Sequence, residues 1–292
     1  MNDKNNALFE VEDTAGKNPD EHVVHLKNQV KKTFDENYIY LSKTKLRKFF
    51  KSIFFRFAMF CLAFPAFFKH NIKVKNRKNI RAVRKLKTGY VSISNHNLVL
   101  DCYANCLANL PKITYLPTVE ETMKIPAIRH ILKALNVIPI PSNPKGLVKF
   151  KDSINSLLQN KKAVHFYPEG ALWPYYKELR PFKPGAFRFA VENNVPILPY
   201  CIYFRERKGL WKLIGKKPLV TLEVLPAIFP DNTLPKKQAI NALMQVAYEE
   251  MKIVIDSHLI NTTVEELQEQ EEMKKIIDDL SSGITQSNLV LS

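Results

Sequence analysis

The sequence predicts an α/β protein: a mixed, largely parallel sheet flanked by helices, with an N-terminal membrane-associated helical segment. Three observations carry this prediction. From Asn71 onward, short apolar runs alternate with stretches of helical periodicity, the pattern of a sheet with helices on its faces. The 292 residues, 46% hydrophobic, suffice for one large core. Ahead of the alternation lies a dense apolar slab set in a basic block.

The elements follow in order. Residues 1–20 are polar, lack the apolar stretch of a signal peptide, and read as a disordered tail. Glu21 to Tyr40 fits a weakly periodic polar helix. Ser52 to Phe68 is 17 residues, almost all apolar, with Phe at 54, 55, 57, 60, 64, 67 and 68. It falls short of the ~20 residues that cross a bilayer. Arg56 sits inside it and Pro65 breaks it, while Lys45, Arg47, Lys48 and Lys51 flank one end and Lys69 the other. Such a segment either lies in an anionic interface or re-enters it as a hairpin, so residues 21–70 read as a membrane-associated helical region.

Residues 71–260 hold the alternating part. Strands are expected at "NIKVK", "GYVSIS", "ITYLP", "NVIPI", "AVHFYP", "VPILPYCIYF" and "LVTLEVL". Helices are expected over Leu98–Leu110, Ile125–Leu135, Leu147–Leu158, Gly185–Val191 and Lys236–Leu259. Residues 261–292 turn acidic and end in "SSGITQSNLVLS", which reads as disordered.

The net charge of +16 is local. Between Lys43 and Lys87 there are 15 Lys and Arg and no Asp or Glu. That block points to an anionic surface. Its aromatics form a slab beside the charges rather than interleaving with them, so the surface is a membrane leaflet and not nucleic acid. The four cysteines have no disulfide or metal-site spacing and read as small buried hydrophobes in a reducing cytoplasm. No metal site is expected, since His165 and Glu169 lack a third ligand at convincing spacing.

In α/β sheets, functional groups gather where strands end and helices begin. "SNHNLVLD" places His96 in a turn after a strand and Asp101 in the first turn of a helix. A carboxylate there fixes one imidazole nitrogen as donor and leaves the other free to take a proton. In "HFYPEGALW", Gly170 permits a tight turn and Glu169 either holds a hydroxyl or braces the loop. "VPILPY" is a buried strand start.

Together, NHxxxxD, a PEG turn about seventy residues on, FKPGA and VPIxP resemble the PlsC-like glycerolipid acyltransferase family, which includes the 1-acylglycerol-3-phosphate acyltransferases. The resemblance covers roughly Lys73 to Pro226. It implies O-acyl transfer from an acyl thioester, on coenzyme A or acyl carrier protein, to the hydroxyl of a lysophospholipid. His96 would be the general base, oriented by Asp101, with Asn95, Glu169 and Gly170 shaping the acceptor site. No cofactor is implied. Two departures stand out. "NVIPIPSN" has Pro141 or Ser142 where the family places an Arg, and Ala171 and Leu172 replace the Thr and Arg of PEGTR. Arg180 and Lys183 are the expected substitutes as phosphate ligands; the alternatives are the same chemistry on another lysophospholipid or lipid alcohol, or a non-catalytic membrane-binding protein. The implied setting is peripheral or monotopic, on the cytoplasmic face of the cell membrane.

Overall fold

The computed structural model describes residues 9–26, 34–35, 37–41, 44–125, 129, 132–133 and 135–259. Its centre is a seven-stranded sheet in the order β3-β9-β8-β4-β7-β5-β6. The strands are β3 (Lys73–Lys75), β4 (Tyr90–Ser94), β5 (Thr114–Val119), β6 (Val137–Ile140), β7 (Ala163–Phe166), β8 (Ile197–Arg205) and β9 (Leu219–Val224). All pairings are parallel except β8 with β9.

β4 is the central strand, flanked by β7 and β8, and all five of its residues are buried. Val91 and Ile93 face one layer of helices: α4 (Pro144–Gln159), α5 (Gly185–Asn193) and α6 (residues 236–259). The other face of the sheet packs against α2 (Arg77–Lys85) and α3 (Asp101–Asn109). β8 shows the same period of two, with Cys201 and Tyr203 on the first side and Leu198, Tyr200 and Ile202 on the second. Local signals fix the helix ends. Asn143 accepts from the Gly146 N–H at 2.7 Å and Pro144 opens α4, a regular N-terminal cap.

The basic, Phe-rich segment is one helix, α1 (Lys45–His70), 26 residues and about 39 Å long. It runs on through position 65, where proline removes one backbone donor without ending the helix. No helix among the described residues is long and apolar enough to cross a membrane. α1 buries Phe55, Met59 and Ala66 against Tyr103 and Cys106 of α3. Burial of Phe55 and Met59 contributes roughly 1.5–3 kcal/mol each. Its other face leaves Leu46, Phe49, Phe50, Phe57 and Phe60 exposed, Phe60 by 78%.

Several expectations need correction. Residues 9–26 are neither tail nor helix: β1 (Phe9–Val11) pairs antiparallel with β2 (Val24–Leu26). The apolar alternation of "FEV" and "VHL" suits a short ladder better than a helical stripe. Cys106 and Cys201 are buried, but Cys61 and Cys102 reach the surface, because their places on α1 and α3 fall outside the packed faces. Residues 1–8, the acidic segment 261–292 and much of the expected Ile125–Leu135 helix lie outside the described residues.

Candidate active site

β4 and β7 are adjacent and parallel, with Ser92 opposite His165 and Ile93 opposite Phe166. The loops that follow them therefore leave the same edge of the sheet. They are stitched together by backbone: Trp173 N–H donates to the His96 carbonyl at 3.0 Å, and Tyr175 N–H to the Asn97 carbonyl at 2.7 Å.

In this turn His96 Nδ1 lies 2.5 Å from Asp101 Oδ2. The carboxylate can only accept, so Nδ1 carries the proton and Nε2 is left as a base. Asp101 is the first residue of α3, where the helix dipole favours negative charge. Its side chain is 2% exposed, while that of His96 is 21% exposed and so reachable from solvent. Tyr167 completes the group. Its hydroxyl donates to Asp101 Oδ1 at 2.8 Å, and its ring stacks on His96 with centroids 3.9 Å apart. Burial, with the nearby Asp101 charge, pushes the Tyr167 phenol well above its ordinary pKa, so it stays a donor.

Behind this group lies a buried polar layer. Asn105 donates to Tyr167 Oη at 3.1 Å and to His165 Nε2 at 2.8 Å. With Nε2 accepting, His165 carries its proton on Nδ1 and donates to Ser92 Oγ at 3.0 Å. Burial pushes the His165 pKa down to about 3, so the ring is neutral.

The PEG turn is held just as firmly. Gly170 has φ +83°, a left-handed conformation in which a Cβ would stand 3.0 Å from Lys183 Nζ. Glu169, 2% exposed, accepts from the His96 N–H at 3.0 Å, the Arg180 N–H at 3.2 Å and Arg180 Nη2 at 2.6 Å. Burial pushes its carboxyl upward, against the pull of Arg180 and the two backbone donors. Of the two roles expected of Glu169, the geometry displays the brace.

Two other expected substrate contacts face inward. The Asn95 amide exchanges two 2.8 Å hydrogen bonds with the backbone of Ile202, tying the His96 turn to β8. Arg180, 3% exposed, bonds Glu169, the Ala171 carbonyl and the Pro19 carbonyl and lies over the Trp173 ring. A buried guanidinium committed to these partners braces the loop and does not present itself to a phosphate. Lys183 is exposed, lies beside Gly170 and pairs with Asp20 at 3.1 Å.

Three features escaped the sequence reading. Tyr167 had a signal: Ser92, Ser94 and His96 alternate along β4 and its exit, as His165 and Tyr167 do along β7, so these polar groups share one face. Lys124 follows β5 on the same edge, bonds Glu120 at 2.8 Å, and sits beside Ser142, which also bonds Glu120. The third is residues 19–23. Val23 packs on Ala171 and Trp173, and Trp173 Nε1–H donates to the Glu21 carbonyl at 2.8 Å. Burial lowers the His22 pKa, and the Lys183 charge acts in the same direction.

Residues 71–203 match the family described as Acyltransferase. A 1-acyl-sn-glycerol-3-phosphate acyltransferase of Saccharomyces cerevisiae is 28% identical over 142 residues, 45% of this chain and 43% of the relative. A chloroplastic 1-acyl-sn-glycerol-3-phosphate acyltransferase of Brassica napus is 30% identical over 113 residues, 38% of this chain and 32% of the relative. The chain thus spans less than half the length of these curated relatives. The crystal structure of the 1-acyl-sn-glycerophosphate acyltransferase PlsC from Thermotoga maritima superposes with TM-score 0.50 at 20% identity, over 74% of this chain and 84% of that one, a likeness of fold.

Proposed function

We propose that residues 71–203, which match the family described as Acyltransferase, form a PlsC-like acyltransferase domain, and that the protein moves a fatty acyl group from an acyl thioester to the free hydroxyl of a lysophospholipid. The donor is acyl-CoA or acyl carrier protein, and the acceptor that fits best is 1-acylglycerol-3-phosphate, giving phosphatidate. The observation that carries this reading is His96 Nδ1 fixed 2.5 Å from a buried Asp101, with the second imidazole nitrogen left as the base.

His96 Nε2 takes the proton of the acceptor hydroxyl as its oxygen attacks the thioester carbonyl carbon. The tetrahedral oxyanion collapses, the C–S bond breaks, and the thiolate takes the proton back from the imidazolium to leave as a free thiol. Asp101 stabilises the imidazolium in between, and no acyl-enzyme is needed. Lys183 beside Gly170 and Lys124 beside Ser142 are the proposed ligands of the acceptor phosphate.

A second reading has the same chemistry on an acceptor without a terminal phosphate. It is favoured by the two absent family arginines and by the carboxylates, Asp20 and Glu120, that already pair these lysines. Both acceptors are lipids. The exposed Phe and Leu side chains of α1 and the acid-free basic block around it support docking of the protein in the plane of an anionic leaflet, on the cytoplasmic face of the cell membrane.

Thiol release from acyl-CoA and from acyl carrier protein, with lysophosphatidate and a neutral lysolipid in competition, tests the proposal. His96→Ala is expected to lose about 10²-fold or more. Release that is unaffected in His96→Ala, or absent from the wild type with every donor and acceptor, refutes it.

A further inference from the structure

Between β8 and β9 the chain runs "RKGLWKLIGKKP", residues Arg207 to Pro218. The connection has Lys208, Lys212, Lys216 and Lys217, and its single acidic residue, Glu206, directly follows the end of β8. Its single helical turn, Trp211–Ile214, buries none of its side chains. Leu210 is 78% exposed and Leu213 84%, with Ile214 beside them also exposed. Two leucines standing this far into water at the tip of a lysine-rich turn are an unusual surface for a connection that has only water to face.

The turn is anchored rather than loose. Arg207 donates to the carbonyls of Lys69, Phe68, Trp211 and Lys217, gripping both ends of the connection and the last turn of α1. The Trp211 ring meets Phe67 of α1 edge-on, with centroids 5.4 Å apart. The apolar tip is therefore continuous with the exposed Phe face of α1. The connection also leaves β8, which is parallel to β4, so it departs from the same edge of the sheet as the His96 turn. Lys217 lies over the Tyr175 ring, whose own N–H is bonded to the Asn97 carbonyl.

We propose that the Lys208–Lys217 turn is a second membrane-docking element, which inserts Leu210, Leu213 and Ile214 into the boundary between headgroups and acyl chains of an anionic bilayer. The lysines around it meet lipid phosphates. The proposal rests on the reading that α1 docks on a bilayer and adds a consequence to it. A single amphipathic helix lets the domain roll about the helix axis. A second contact at its C-terminal end stops the roll, and its position on the catalytic edge turns the His96 mouth toward the lipid that supplies the acceptor.

The test is co-sedimentation of the full chain with vesicles of equal parts phosphatidylcholine and phosphatidylglycerol, and with pure phosphatidylcholine. Three proteins are compared: wild type, Leu210→Ser with Leu213→Ser, and Phe57→Ser with Phe60→Ser on α1. The turn variant is expected to lose about 10-fold or more in partition onto the anionic vesicles. Partition of the turn variant within about twofold of wild type overturns the proposal. If the α1 variant alone loses binding, the α1 reading stands and this one falls; if wild type does not bind, both fall. A second measurement needs no variant. The chain has two tryptophans, Trp173 buried and Trp211 at the tip. Quenching of Trp fluorescence by lipids brominated on the acyl chain is expected, and its absence with bound protein overturns the proposal.

Discussion

Removing one oxygen atom, in Tyr167→Phe, tests whether the hydroxyl on Asp101 serves the reaction or only the fold. The ring that stacks on His96 at 3.9 Å is kept. The 2.8 Å bond from the hydroxyl to Asp101 Oδ1 is lost, while the 2.5 Å bond to His96 remains. A hydrogen bond to a charged group contributes about 1.5–3 kcal/mol. At 1.36 kcal/mol per factor of ten, that is roughly 10- to 150-fold in rate if all of it orients the base. Because Asp101 keeps its bond to His96 and its place at the start of α3, the expected loss is near the lower end, about 10-fold in kcat, with KM for donor and acceptor within about twofold. Asn105 keeps His165 Nε2 and Ser94 Oγ as acceptors, so unfolding should shift by only a few degrees. The assay is steady-state thiol release by Tyr167→Phe, Asp101→Asn and the double variant. Since Tyr167 would act through Asp101, the double variant should be no slower than Asp101→Asn alone. A kcat unchanged in Tyr167→Phe, or losses that simply multiply in the double variant, would refute the reasoning.

Three further outcomes are expected. Lys183→Met should raise KM for lysophosphatidate by about 10-fold while leaving KM for a neutral lysolipid unchanged, and equal effects on both would remove Lys183 from the phosphate site. Arg180→Ala leaves the buried Glu169 carboxyl without its ion-pair partner, so chemical denaturation should show a loss of about 3–5 kcal/mol, whereas a loss under 1 kcal/mol would mean that the pair braces nothing. His165 is held neutral, its folded pKa near 3 lying below the ordinary 6.5. The unfolded chain therefore binds the extra proton, so this stability is complete above about pH 6.5 and falls by up to ~1.4 kcal/mol per unit on the way to pH 3. Urea titrations at falling pH should show that slope in wild type and a shallower one in His165→Asn; equal slopes would refute it.

The central strands and the helices over 144–159, 185–193 and 236–259 were legible because their apolar positions repeat over many residues. α2 was not, since Arg77, Lys78, Arg81, Arg84 and Lys85 mask its two buried residues, Ile80 and Val83. The contact between His96 and Asp101 was legible because only four residues of chain separate them across a strand-to-helix turn. Arg180 was misread because sequence gives a charge but not its burial. Its partner Glu169 is in the same loop, while Pro19, Asp20 and Val23, which close that loop from outside, come from a hairpin too short to leave a periodic signal.

That hairpin sets an order of events. Its contacts with Trp173 and Arg180 join residues 152 and 161 positions apart. Residues 9–26 are the first of the described chain to be synthesised, yet they find no docking site until the PEG loop has been made and folded. Loop closure over such a separation comes after the local pairings of the sheet. The edge that carries His96 is thus finished last by a stretch of chain made well before it, and a change introduced in residues 9–26 is felt at Trp173, Arg180 and Lys183.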